Sequence, residues 1–137
     1  MKLLVLLALL LPAAAQRRCD VSELGYDCVK TLAAYYNLHW TLEGDVVHFA
    51  LEGIGAQWVG FSFAEVEGMM APADGVIGWL DVNGPNVRAY RIVTQSVFAQ
   101  DEDPTITLMN VTAVEDEERT IVAFTRLLSE GSVSVNP

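Results

Sequence analysis

Two histidines, two cysteines and a run of carboxylates are the first places to look for chemistry in this chain. His39 stands between Leu38 and Trp40, and His48 between Val47 and Phe49. In an extended strand successive side chains point to opposite faces, so each histidine lies opposite its bulky apolar neighbours. Both are expected to be solvent-exposed strand residues. Neither belongs to an H-E-x-x-H pair, a Ser/His/Asp set, a Gly-rich phosphate loop or a paired-carboxylate motif. Gly53-Ile54-Gly55 falls in a turn between strands, with no helix behind it to complete a nucleotide fingerprint. Glu115-Asp116-Glu117-Glu118 reads as a solvated hairpin tip, not a metal site. With this inventory, a self-contained hydrolase is not expected.

The cysteines carry structural chemistry. Cys19 and Cys28 follow a leader in which Lys2 precedes the unbroken apolar run Leu3 to Leu11, Pro12 ends it, and Ala13-Ala14-Ala15 offers small residues for cleavage before Gln16. This is the three-part form of a secretory signal. The run falls short of the roughly 20 residues that span a bilayer, and no other segment is long and apolar enough to do so. An oxidising compartment favours a Cys19–Cys28 bridge. Its short loop would contribute about 2–3 kcal/mol. The spacing is neither C-x-x-C-H nor a zinc pattern, so any cofactor would be held without a covalent link. Residues 1–15 are thus expected to be a signal peptide, and residues 16–35 an N-terminal segment carrying the cysteine pair.

The elements that would position a site begin near residue 36. Leu38, Trp40 and Leu42 alternate with polar neighbours; Glu43-Gly44-Asp45 marks a turn; Val47, Phe49 and Leu51 alternate again. Strand, tight turn, strand predicts a hairpin. Trp58 to Phe63 is an aromatic third strand, residues 64–74 form a loop, and Gly75 to Val82 resumes as a strand. Asn83-Gly84-Pro85-Asn86 turns into Val87–Val93. Two further strands, Thr105–Val114 and Arg119–Leu128, follow the polar break at Asp101-Glu102-Asp103-Pro104. Only residues 20–34 show a helical tendency. Trp58 and Trp79 are expected in the core of facing strands. Seven or more short strands with evenly spaced turns predict an all-β, immunoglobulin-like antiparallel β-sandwich over residues 36–137. The chain stops at Ser-Val-Asn-Pro without a clear finishing element, so this sandwich is expected to be C-terminally incomplete, a fragment of a longer protein.

Charge narrows the partners. The chain has 18 acidic against 8 basic side chains, a net charge of −10, and loses one positive charge with the leader. Such a surface repels phosphate backbones and anionic bilayers, so neither nucleic acid nor a membrane surface is expected as a partner. Asn110-Val111-Thr112 is an N-glycosylation sequon, usable if its strand face is solvated.

Between Trp58 and Trp79 the chain resembles a known family. Trp58-Val59-Gly60-Phe61-Ser62 is similar to the "GWVAIGFS" strand of DOMON domains. Met70-Ala71-Pro72-Ala73-Asp74 is similar to their "M-x-G-x-D" loop, with Pro72 where Gly is usual, and Gly75-Val76-Ile77-Gly78-Trp79 to their "VVIGW" strand. Leu38-His39-Trp40 resembles the opening "L-x-W" strand. Asp103-Pro104 resembles the "D-x-x-Q" region without its Gln, and Phe124-Thr125-Arg126 with Leu128 the late "F-x-R-x-L" strand. The likeness runs from about residue 36 to 130.

The resemblance implies a β-sandwich module of the kind found in dopamine β-monooxygenase, beside membrane cytochrome b561 domains and in extracellular flavocytochromes. In haem-binding members a Met of the loop is one axial ligand, and a His beyond the "F-x-R-x-L" strand is the other. Met70 matches the first position, with Met69 as the alternative if the loop register slips. A thioether is a soft donor suited to haem iron, and Met/His ligation raises the reduction potential. Without the resemblance Met70 reads as a flexible apolar plug. Arg126 shares a face with Val122, Phe124 and Leu128, where a charge needs a partner: a structural salt bridge or a haem propionate. The matching His is absent up to Pro137, and His39 and His48 do not fit its position. The expectation is therefore a secreted or lumenal b-type haem module for one-electron transfer, beside a redox partner or a downstream cytochrome b561 domain. The rivals are a non-haem module for a sugar or hydrophobic ligand and the regulatory domain of a copper monooxygenase, in which the loop Met would be lacking.

Overall fold

The computed structural model describes residues 19–94 and 101–131. The leader, its cleavage point and the Ser-Val-Asn-Pro end lie outside these residues. Among the described residues eight strands form: β1 (Cys28–Ala33), β2 (Tyr36–Glu43), β3 (Val46–Ile54), β4 (Trp58–Ala64), β5 (Ala73–Asp81), β6 (Gly84–Ile92), β7 (Met109–Glu115) and β8 (Arg119–Leu127). They make a five-stranded sheet in the order β1-β2-β3-β8-β7 and a three-stranded sheet in the order β4-β5-β6. Every strand pairing is antiparallel. The expected antiparallel β-sandwich is the observed fold.

The period-two pattern explains the layering. On the large sheet Leu38, Val47, Phe49, Leu51, Val122 and Phe124 are buried; Val59 and Val76 of the small sheet are buried in the same cluster, with Phe61 and Phe63 packed against them. Phe49 sits at the centre, its ring centroid 5.4 Å from both Phe63 and Phe124. Burying each such side chain stabilises the fold by about 1.5–3 kcal/mol.

Three expectations are corrected. Residues 28–33 form strand β1, not helix, pairing with β2 from Cys28↔Trp40 to Ala33↔Tyr36. A segment this short cannot sustain an isolated helix, whereas the open edge of β2 offers it a ladder of hydrogen bonds. His39 is only 3% exposed. The N-terminal segment accounts for that: Ser22 Oγ lies 2.8 Å from His39 Nδ1 and the Tyr26 ring 6.2 Å from the imidazole. Trp58 and Trp79 are cross-strand partners within one sheet. They face away from the core, and Trp58 is 63% exposed. With Val59, Phe61 and Phe63 pointing inward, the alternation leaves residues 58, 60, 62 and 64 outside. Gly78 likewise takes the inward position on β5, because Val122 of β8 fills the space its side chain would need. Strand limits also move: β5 begins at Ala73 rather than Gly75, β6 at Gly84, and β7 only at Met109.

Candidate functional site

The loop between β4 and β5 carries both candidate methionines. Its mouth is closed by Glu65 N–H donating to Pro72 O at 3.0 Å, and a turn forms where Met69 N–H donates to Val66 O at 3.1 Å. Gly68 supplies the left-handed backbone (φ 77°) that an L side chain resists. The Ala71–Pro72 peptide is cis. Met69 and Met70 are both exposed. Only Met70 lines the adjoining groove, a cavity of about 370 Å³ on the outer face of the small sheet.

The floor of that groove is glycine. Gly60 of β4 and Gly75 of β5 lie at its base, with the Ile92 side chain folded over Gly75, and Trp58, Ile77 and Ile92 line it with apolar side chains. A Cβ on Gly75 would come within 2.5 Å of Ile92 Cδ1; one on Gly60 would sit 3.5 Å from Ile77 and 3.6 Å from the Trp58 ring. Next to it, sharing Trp58 and Ile77, a second depression of about 510 Å³ is lined also by Gln57, Trp79, Leu80 and Glu115.

Charged groups brace the loop from the inner side. Arg91 of β6 donates to Glu65 Oε1 at 2.6 Å and to Asp74 Oδ1 at 3.3 Å. The hydrogen bond to Glu65 chiefly raises the Arg91 pKa above its ordinary value. Asp74 is fully buried. So is Arg126, which points between the sheets with its guanidinium 4.9 Å from the Phe63 ring centroid. Its Nη2 donates to Glu130 O at 2.7 Å. Burial lowers the Arg126 pKa, offset in part by Asp74, Glu130 and Asp103. Arg126 therefore lies on the opposite side of the small sheet from the groove that Met70 lines.

The histidines lie on the large sheet, away from Met70. Glu52 accepts hydrogen bonds from Arg119 Nη1 (2.6 Å) and Asn37 Nδ2 (3.1 Å) and lies 3.1 Å from His39 Nε2. An ionised carboxylate can only accept, so Nε2 carries the hydrogen, and in the neutral ring Nδ1 accepts from Ser22. Burial alone would raise the Glu52 pKa, but hydrogen bonds from Arg119, Asn37 and His39 hold it below its ordinary value. His48 is half-exposed between Thr125 Oγ1 (2.7 Å) and Glu43 Oε2 (2.8 Å). Among the described residues no cluster of His, Cys, Asp and Glu could hold a metal ion, and no helix is long and apolar enough to cross a membrane. Cys19 and Cys28 form a disulfide. Asn110 is exposed, with φ 51° at a register shift in β7.

The structure thus places Met70 at a groove and adds Gly60, Gly75, Ile77, Ile92 and Arg91, which the sequence reading passed over. The glycines had a signal: a glycine inside a strand often marks close approach of a ligand or another backbone. Arg91 had none, because its partners come from two other stretches of chain.

No curated protein and no solved structure matches the chain. The family profile of the DOMON domain matches residues 33–134. That match spans most of the chain and all but the first of its strands nearly or wholly, and the protein belongs to the DOMON family.

Proposed function

We propose that this protein is an extracytoplasmic DOMON module that seats haem b in the glycine-floored groove beside Met70 and passes single electrons to a redox partner such as a membrane cytochrome b561 domain. The observation that carries this reading is the groove itself. It is lined mainly by apolar side chains, with one soft thioether, Met70, among them. Gly60 and Gly75 add no side chain of their own to the lining, which Trp58, Ile77 and Ile92 supply. Bound haem would supply one-electron redox chemistry, and Met70 would provide one axial ligand to it. Trp58, Ile77 and Ile92 would exclude water from the ring edge. A second ligand would have to come from outside the described residues, since His39 and His48 are engaged on the other sheet. The disulfide is compatible with an oxidising compartment, and DOMON domains are usually extracellular.

The test is haem titration of the full-length protein. A low-spin, six-coordinate spectrum is expected. Met70→Ala should turn the iron five-coordinate or water-bound and lower the potential, while the fold survives because the residue is on a loop. Absence of a Soret band in the wild type would sink the haem reading.

One observation favours a second reading. The depression lined by Trp58 and Trp79 has amide and carboxylate groups, Gln57 and Glu115, at its margin. Indole faces ringed by hydrogen-bonding groups suit a neutral sugar or other amphipathic ligand. If no haem binds, quenching of tryptophan fluorescence by such ligands becomes the discriminating measurement. The loop methionine speaks against the regulatory domain of a copper monooxygenase.

A further inference from the structure

We infer that Arg91 is the positioning residue of the Met70 loop, fixing where the thioether stands over the groove. The loop leaves the small sheet at Ala64 and re-enters it at Ala73. Glu65 is the first residue outside β4, and Asp74 the second residue inside β5. Arg91 bonds both, one through Nη2 at 2.6 Å and the other through Nη1 at 3.3 Å. Asp74 and Arg91 are direct partners across the β5–β6 ladder, so the guanidinium starts from a fixed backbone position. Its second arm then reaches past β5 to the far side of the loop mouth. A planar fork can hold two carboxylates at a set separation in a way a flexible ammonium cannot. The backbone bond from Glu65 N–H to Pro72 O closes the same mouth. Between these anchors only residues 66–71 remain to carry Met70, with one internal turn at Val66–Met69.

Other charges do not duplicate this role. Arg88, three residues earlier on β6, pairs with Glu102 instead. Arg126 is directed between the sheets. The inference rests on the proposed haem seat only for its functional consequence; the clasp itself is read from the loop geometry.

The experiment uses the protein labelled at its methionine methyl groups, with the Met70 resonance assigned by Met70→Leu and Met109 of β7 as an internal reference for the fold. Arg91→Gln and Glu65→Gln should each shift the Met70 methyl toward its free-chain position while Met109 stays in place. Arg91→Lys should restore the native shift only in part, and Arg88→Gln should not move Met70 at all. An unmoved Met70 methyl in folded Arg91→Gln or Glu65→Gln overturns the inference, as does an equal shift in Arg88→Gln. Should Arg91→Gln fail to fold, because it disturbs the buried Asp74, Glu65→Gln decides alone. Haem titration of the same samples gives the second readout. A supporting residue of this kind typically changes affinity about 10–100-fold, so Arg91→Gln should weaken haem binding by a factor in that range. A wild type that binds no haem would defeat the proposed function, and the methyl shifts would still decide the role of Arg91.

Discussion

Glu52 shows how much one side chain can gather. It collects Arg119, Asn37 and His39 on a buried carboxylate, and His39 passes the network on to Ser22 in the N-terminal segment. Removing one partner leaves others buried and unsatisfied, at a cost of about 1–3 kcal/mol. His39→Ala should lower stability by about that amount in urea unfolding. The pH dependence follows from the direction of the Glu52 shift. Its folded-state pKa lies below the ordinary 4.5. It therefore contributes stability at pH values above 4.5, and this is lost as pH falls below 4.5 through the folded value. The stability difference between wild type and Glu52→Gln should be present at neutral pH and shrink on acidification through that window. A difference that stays constant to strong acid would show that the Glu52 charge is not what the network stabilises.

Strand β1 and the disulfide act as one unit. The bridge closes a nine-residue separation, Asp20 pairs with Val29, and Asp27 N–H donates to Thr41 Oγ1 at 2.9 Å. The N-terminal segment is thereby folded onto the outer face of the large sheet, over His39, and β1 covers the edge of β2. A cross-link over so short a loop stabilises by about 2–3 kcal/mol, mainly by restricting the unfolded chain. The double variant Cys19→Ser with Cys28→Ser should lose about that much in denaturant unfolding, and Ser22, Tyr26 and His39 should become faster-exchanging. An unchanged midpoint would mean that β1 pairing alone holds the segment.

The two sheets meet closely at Gly78. A Cβ there would lie 2.5 Å from Val122 Cγ1 and 3.2 Å from Val122 Cβ. A β-branched side chain cannot rotate its own Cβ away, so Gly78→Ala must push β5 and β8 apart. Overpacking of this kind costs about 1–3 kcal/mol. Val122→Ala should relieve it, so the double variant should be less damaged than the sum of the single ones. Strict additivity would show that the sheets yield at this point. Gly75 presents the contrasting case. Its added Cβ would meet the tip of Ile92, which can move, on the outer face. The same glycine-for-alanine change there touches the groove more than the sandwich.

Much of this was legible from the order of residues alone. Strand alternation, turn residues and the leader-proximal cysteine pair are local patterns, set by steric preferences and by hydrophobicity repeated every second residue. They gave the antiparallel sandwich, its hairpins and, through ordered motifs from Leu38 to Leu128, the family. The corrections at His39, Trp58 and Trp79 share one cause: each concerned which face another element of the chain covers. His39 looked solvated because nothing near it in sequence covers it; Ser22 and Tyr26 do so from another segment. Trp58 and Trp79 looked like core because large aromatics usually are, yet Val122 on β8 claims the inner side of β5 and leaves Trp79 outside. Arg91 looked like an ordinary strand charge until the sheet brought it between Glu65 and Asp74. A strand pattern states which residues share a face. Which face another part of the chain will cover is decided only when the sheets and the N-terminal segment compete for the same apolar area and the same hydrogen-bond partners.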